Sequence, residues 1–103
     1  VNEDTIEEKI NQNQLFFSGS LKNTGSRRGD FVRIIYHLWE NDTKLVLTDS
    51  TFISGNTTQY MNGVISDASL DPGQTGLFTL SIQIPDSIKV TYWTKEIRAD
   101  VLE

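Results

Sequence analysis

The chain has 103 residues, a net charge of −5, a single histidine and no cysteine. This length fits one domain with a core of its own. The missing cysteines exclude disulfides, thiolate metal sites and cysteine nucleophiles together. The nine basic residues are scattered, with only Arg27 and Arg28 adjacent. That argues against nucleic acid, which requires a clustered basic face. No apolar run approaches the roughly 20 residues that span a bilayer, so direct membrane insertion is not expected.

Residues 1–14 (VNEDTIEEKINQNQ) are polar and acidic, with Ile6 and Ile10 four apart. That spacing allows one or two helical turns, but so short a helix is marginal alone. A frayed lead-in or linker is therefore expected over 1–14, with the folded domain over 15–103. Because it starts in such a stretch, the chain is expected to be a mature or trimmed piece of a longer protein.

From Leu15 the period becomes two. Leu15, Phe17, Gly19 and Leu21 alternate with Phe16, Ser18, Ser20 and Lys22, and Asn23-Thr-Gly25 ends this first strand. After the loop 26–30, Val32, Ile34, Tyr36 and Leu38 form a uniformly apolar face, the expected core face. Arg33, Ile35, His37 and Trp39 form the other. Glu40-Asn-Asp-Thr43 makes a hairpin turn, and a third strand runs from about Lys44 to Ile53.

Residues 55–67 read as a long polar loop with a short edge strand around Val64-Ile65. Asp71-Pro-Gly73 is a strong turn, since Pro presets φ and Gly supplies positive φ. Phe78, Leu80, Ile82 and Ile84 then face inward until Pro85-Asp86. The last run, 88–102, changes parity at Tyr92-Trp93, which predicts a bulge or a crossing between sheets. Short strands spaced by turns, with no ten-residue amphipathic helix, specify an all-β fold. The expected architecture is an immunoglobulin-like antiparallel two-sheet β-sandwich.

Candidate chemistry is sparse. His37 sits mid-strand without companions of metal-ligand type, and the serines lie in no nucleophile motif. Asp42, Asp49, Asp67, Asp71 and Asp86 lie near turns without calcium-loop spacing, so turn formation and solvation explain them. No metal, cofactor or catalytic residue is assigned. Arg28-Gly29-Asp30 spells a tripeptide that adhesion receptors read. The plainer reading is a turn, with Gly29 for backbone freedom and Arg28 and Asp30 for solvation. Asn41-Asp-Thr43 and Asn56-Thr-Thr58 are glycosylation sequons in expected loops. Tyr60 and Met61 interrupt a polar loop, where aromatic and apolar residues either anchor a partner or fold back over the sandwich edge. Arg28, Asp30, Tyr60 and Met61 are thus the candidate partner-binding residues.

Tyr36-His-Leu-Trp-Glu40 resembles the signature of the FxLYD domain, named after Phe-x-Leu-Tyr-Asp. Tyr36, Trp39 and Glu40 stand as conservative replacements, and Leu38 is identical. Ser18-Gly-Ser-Leu-Lys-Asn-Thr-Gly25 resembles the family's G-x-x-x-N-x-G strand and turn. Leu70-Asp-Pro-Gly-Gln-Thr-Gly-Leu-Phe78 resembles its L-x-P-G-x-x-x-x-F turn into a core strand. The resemblance covers most of the chain after residue 14. It implies an immunoglobulin-like, non-catalytic module of bacterial or archaeal extracytoplasmic proteins, commonly lipoproteins or membrane-anchored proteins. The expected function is a spacer or protein-binding domain, as a monomer. The alternative is a soluble inhibitor or carbohydrate-binding sandwich that uses the 56–66 loop.

Overall fold

A computed structural model describes residues 1–100. They form two antiparallel three-stranded sheets packed face to face, with a separate hairpin at one end. The first sheet has the order β1-β2-β7, from β1 (Asn2–Asn11), β2 (Gln14–Lys22) and β7 (Thr75–Gln83). The second has the order β4-β3-β8, from β4 (Lys44–Phe52), β3 (Asp30–Asn41) and β8 (Tyr92–Asp100). The hairpin is β5 (Asn56–Gln59) paired with β6 (Ile65–Ser69). The β-sandwich expected from the alternating pattern is therefore the fold.

The register follows the side chains. Val32, Ile34, Tyr36 and Leu38 are buried along β3, facing Leu15, Phe17 and Leu21 of β2 and Phe78 and Ile82 of β7. The Phe17 and Tyr36 rings stack at 3.9 Å and 5°, and Trp93 of β8 meets Phe17 edge-on at 5.3 Å. Gly73 takes the positive φ expected of it, 84°.

Three local expectations need correction. Residues 2–11 are a strand, β1, rather than a helical turn or linker. This strand docks by main-chain pairing along the whole of β2, and of its residues only Ile6 is even half-buried. Its polar composition therefore hid it, since hydrophobic periodicity reports buried side chains and not backbone ladders. A spacing of four also puts Ile6 and Ile10 on one face of a strand. Where the ladder shifts between Glu3 and Thr5, β1 crosses Gly19 so closely that a Cβ there would lie 2.0 Å from the Thr5 carbonyl oxygen.

The loop expected over 55–67 holds a complete hairpin rather than one edge strand. The parity change at Tyr92-Trp93 is the start of β8, which pairs regularly with β3 from Tyr92 to Arg98. Ile88 and Val90 precede that strand. Val101 and Leu102 of the same expected run lie outside the described residues.

Candidate functional site

Asp30 opens β3 with the same parity as Val32, Ile34, Tyr36 and Leu38, so its carboxylate points inward and is only 1% exposed. A buried carboxylate must be satisfied by donors, and this one is. Arg28 reaches it with Nε at 2.9 Å and a terminal guanidinium nitrogen at 3.3 Å. Ser69 Oγ donates to it at 2.7 Å, and the Tyr60 hydroxyl donates to its other oxygen. Burial pushes the Asp30 carboxyl up. The bonds from Arg28, Tyr60 and Ser69, with the guanidinium charge, outweigh that and hold it below the ordinary aspartate value. Burial and the bond to Asp30 push the Tyr60 hydroxyl up in turn.

The next residue completes the arrangement. Phe31 has φ of 50°, a left-handed conformation rare for a bulky residue. Its N–H is held by Ser66 Oγ at 3.0 Å, and its ring stacks on Tyr60 at 6.4 Å and meets Phe52 edge-on at 6.4 Å. The buried hydroxyls of Ser66 and Ser69, both on β6, thus tie the hairpin to the first two residues of β3.

Three of the four residues singled out from the sequence therefore converge: Arg28, Asp30 and Tyr60 form one cluster. Asp30 does not solvate a turn. It is a buried acceptor, and the tripeptide Arg28-Gly29-Asp30 does not present its carboxylate to solvent in this fold. Gly29 carries a reciprocal main-chain pair with Leu70, at 2.8 and 3.0 Å. Tyr60 folds back over the sandwich, whereas Met61, at the hairpin tip, is fully exposed. Ser66 and Ser69 were not legible as participants, because isolated serines in a polar stretch carry no pattern.

Beside the cluster lies an apolar surface. Phe31, Phe52, Ile53, Ile65 and Ala68 line a groove with Asp67 on its wall. Phe52 also borders a second depression with Leu77 and Phe78. Phe52 is 55% exposed, Ile65 52% and Leu77 65%, and Met61 and Val64 extend the exposed apolar set along the hairpin.

At the same end Asn23 is buried and joins two turns. Its side-chain nitrogen donates to the carbonyls of Arg27 (2.8 Å) and Leu70 (2.9 Å), and its side-chain oxygen accepts from Gly25 N–H. Its main chain pairs with Gly73 and Gln74. The sequon residue Asn56 bonds through its side chain to Asp71 and Gln74, while Asn41 caps its own turn by accepting from Thr43.

His37 lies on the outer face of β3, with Nδ1 3.1 Å from Thr48 Oγ1 and Nε2 3.8 Å from Glu96. Among the described residues no three His, Cys, Asp or Glu side chains come together as a metal site. Across the open side between β1 and β8, Lys95 bridges Glu3 and Glu8 at 3.4 and 3.7 Å, and Trp93 Nε1 donates to Glu8. Set against protein-family models, curated proteins and solved structures, the chain matches none.

Proposed function

We propose that the chain is a non-catalytic, extracytoplasmic sandwich module of the FxLYD type, carried by a larger surface or membrane-anchored protein, and that it binds another protein. The observation that carries this reading is the exposed apolar set of Phe52, Ile65 and Leu77, which line two depressions that share Phe52, with Met61 exposed at the nearby hairpin tip. Soluble domains rarely leave apolar side chains of this size adjacent and uncovered unless a partner covers them. Polar groups near this surface support the same reading, because they are engaged in structure. Asp30 takes Arg28, Tyr60 and Ser69 as donors, and Asn23 holds the turns on which the family resemblance rests against each other. The interlocking of Asn23-Thr-Gly25 with Asp71-Pro-Gly-Gln74 also gives a physical reason for those two short patterns to occur in one chain.

The test is site-specific photocross-linking from position 61 of the full-length parent protein in its native host. The expected result is one defined protein adduct that disappears when Phe52→Ser is added in a protein that still folds. Cross-links confined to the module's own chain, or adducts indifferent to Phe52→Ser, would remove the docking reading.

A further inference from the structure

The exposed apolar surface is divided between two bodies. Phe52 and Leu77 belong to the sandwich, whereas Met61, Val64 and Ile65 ride on the hairpin and its tip. The hairpin is its own two-stranded sheet, and its main-chain link to β3's side of the molecule is the Gly29–Leu70 pair at its base. Two-stranded hairpins are marginal in water when left to themselves. Something must therefore hold this one in place; Val64 and Ile65 do not, being exposed, and Ala68 of β6 is the small apolar side chain that the hairpin sends into the core.

Beyond Ala68 and the Tyr60 ring the holding groups are polar, and two of them meet at one carboxylate. Tyr60, just beyond β5, and Ser69, at the end of β6, both donate to Asp30, so one acceptor grips the hairpin near its tip and at its base. Ser66 adds a third tie by accepting the N–H of Phe31, and Phe31 keeps its left-handed backbone while bonded to Ser66 and stacked on Tyr60. Regions held by few apolar contacts and by identifiable polar ties open as local units, independently of global unfolding.

We infer that the β5–β6 hairpin is a separately opening strap that Asp30 holds shut. Shutting it sets Ile65 beside Phe52 and so assembles the surface assigned to docking. In this respect the inference rests on the proposed function; the strap itself does not. Opening would part the two halves of the groove lined by Phe31, Phe52, Ile65 and Ala68.

Tyr60→Phe tests this, because it keeps the ring on Phe31 and removes only the hydroxyl. Amide hydrogen exchange is followed residue by residue on the free protein at neutral pH. Loss of one bond to a charged acceptor should accelerate exchange of the Tyr60 amide, which bonds Val64, and of its paired neighbours in β5 and β6 by about ten- to a hundredfold. In both proteins these amides should exchange through a smaller opening than amides at the centres of β2 and β3 and so stay the less protected set, while the melting temperature of the variant falls by several degrees because the lost bond belongs to the closed native state. Unchanged exchange in the hairpin would overturn the inference. So would hairpin amides as strongly protected as those of the core in both proteins, since the hairpin would then open only with the whole domain. Ser69→Ala supplies a second variant, with the same ordering of hairpin and core expected. The measurement needs no partner. Hairpin exchange as expected combined with a failed cross-link from position 61 would sink the docking reading alone.

Discussion

At the centre of the sandwich, Tyr36 stacks on Phe17 at 3.9 Å, with Ile34 and Leu38 as buried apolar neighbours on β3's inward face. At the hairpin end the same inward row of β3 begins with a carboxylate, gripped by donors from three other segments. The first region is held by burial, which is non-directional and forgiving of which apolar atom touches which. The second is held by hydrogen bonds, which fix position and orientation but contribute only modestly once each bond to water is given up. One strand thus supplies bulk stability at its middle and precise placement of a mobile element at its start.

The largest expected effect is in the first region. Leu38→Ala removes buried methyl groups and leaves a cavity, at a cost of roughly 2–5 kcal/mol. His37→Ala, its neighbour on the outer face, should cost less than about 1 kcal/mol, because adjacent residues of a strand point to opposite sides of the sheet. Urea unfolding of the two variants checks the register. Equal losses would break the contrast between inward and outward faces on which the core rests.

A somewhat smaller effect is expected at the hairpin end. Asp30→Ala should destabilise the domain by roughly 1.5–3 kcal/mol, the range for hydrogen bonds to a charged group. It removes the shared acceptor of Arg28, Tyr60 and Ser69. Denaturant midpoints unaltered by Asp30→Ala would mean that the carboxylate solvates a turn after all.

The smallest effect is back in the core. The Tyr36 hydroxyl is buried with no hydrogen-bond partner among the described residues, and burial together with Glu8 and Glu3 pushes its pKa upward. Tyr36→Phe keeps the stack on Phe17 and deletes an unsatisfied polar atom. Stability should be unchanged or rise by about 1 kcal/mol, read from the urea midpoint. A loss of more than about 1 kcal/mol would show that the hydroxyl has a partner, such as an ordered water.

The contrast also explains what could be read in advance. Val32, Ile34, Tyr36 and Leu38 announced themselves because apolar residues repeating every second position have one economical fate, an inward face. Asp30 has the same parity and was missed because its chemistry says surface. Stepping the alternation back one more place puts it inward, and that was the available signal. The strand β1 was illegible for a different reason: it is recruited by backbone pairing to β2, and its side chains carry almost no burial pattern. The hairpin was half legible, through Val64 and Ile65, but its strands are too short and polar to show a period. Asn23 and Gly73 were readable as turn residues. Their meeting across some fifty positions of sequence is a long-range fact that no local pattern contains.

The central claim is that Asp30 is an ionised, buried clamp for the hairpin and not a displayed side chain. Its carboxyl titration, followed by NMR together with the amide shifts of 57–69, tests that most directly. A carboxyl held below the ordinary aspartate value, near 4, stabilises the fold above that pH; the contribution fades as pH falls through the lower folded-state value. The account predicts a midpoint below the ordinary value, with the hairpin amides shifting along the same curve while the centres of β2 and β3 stay still. A midpoint at or above the ordinary value, with the hairpin amides indifferent to it, would contradict the account.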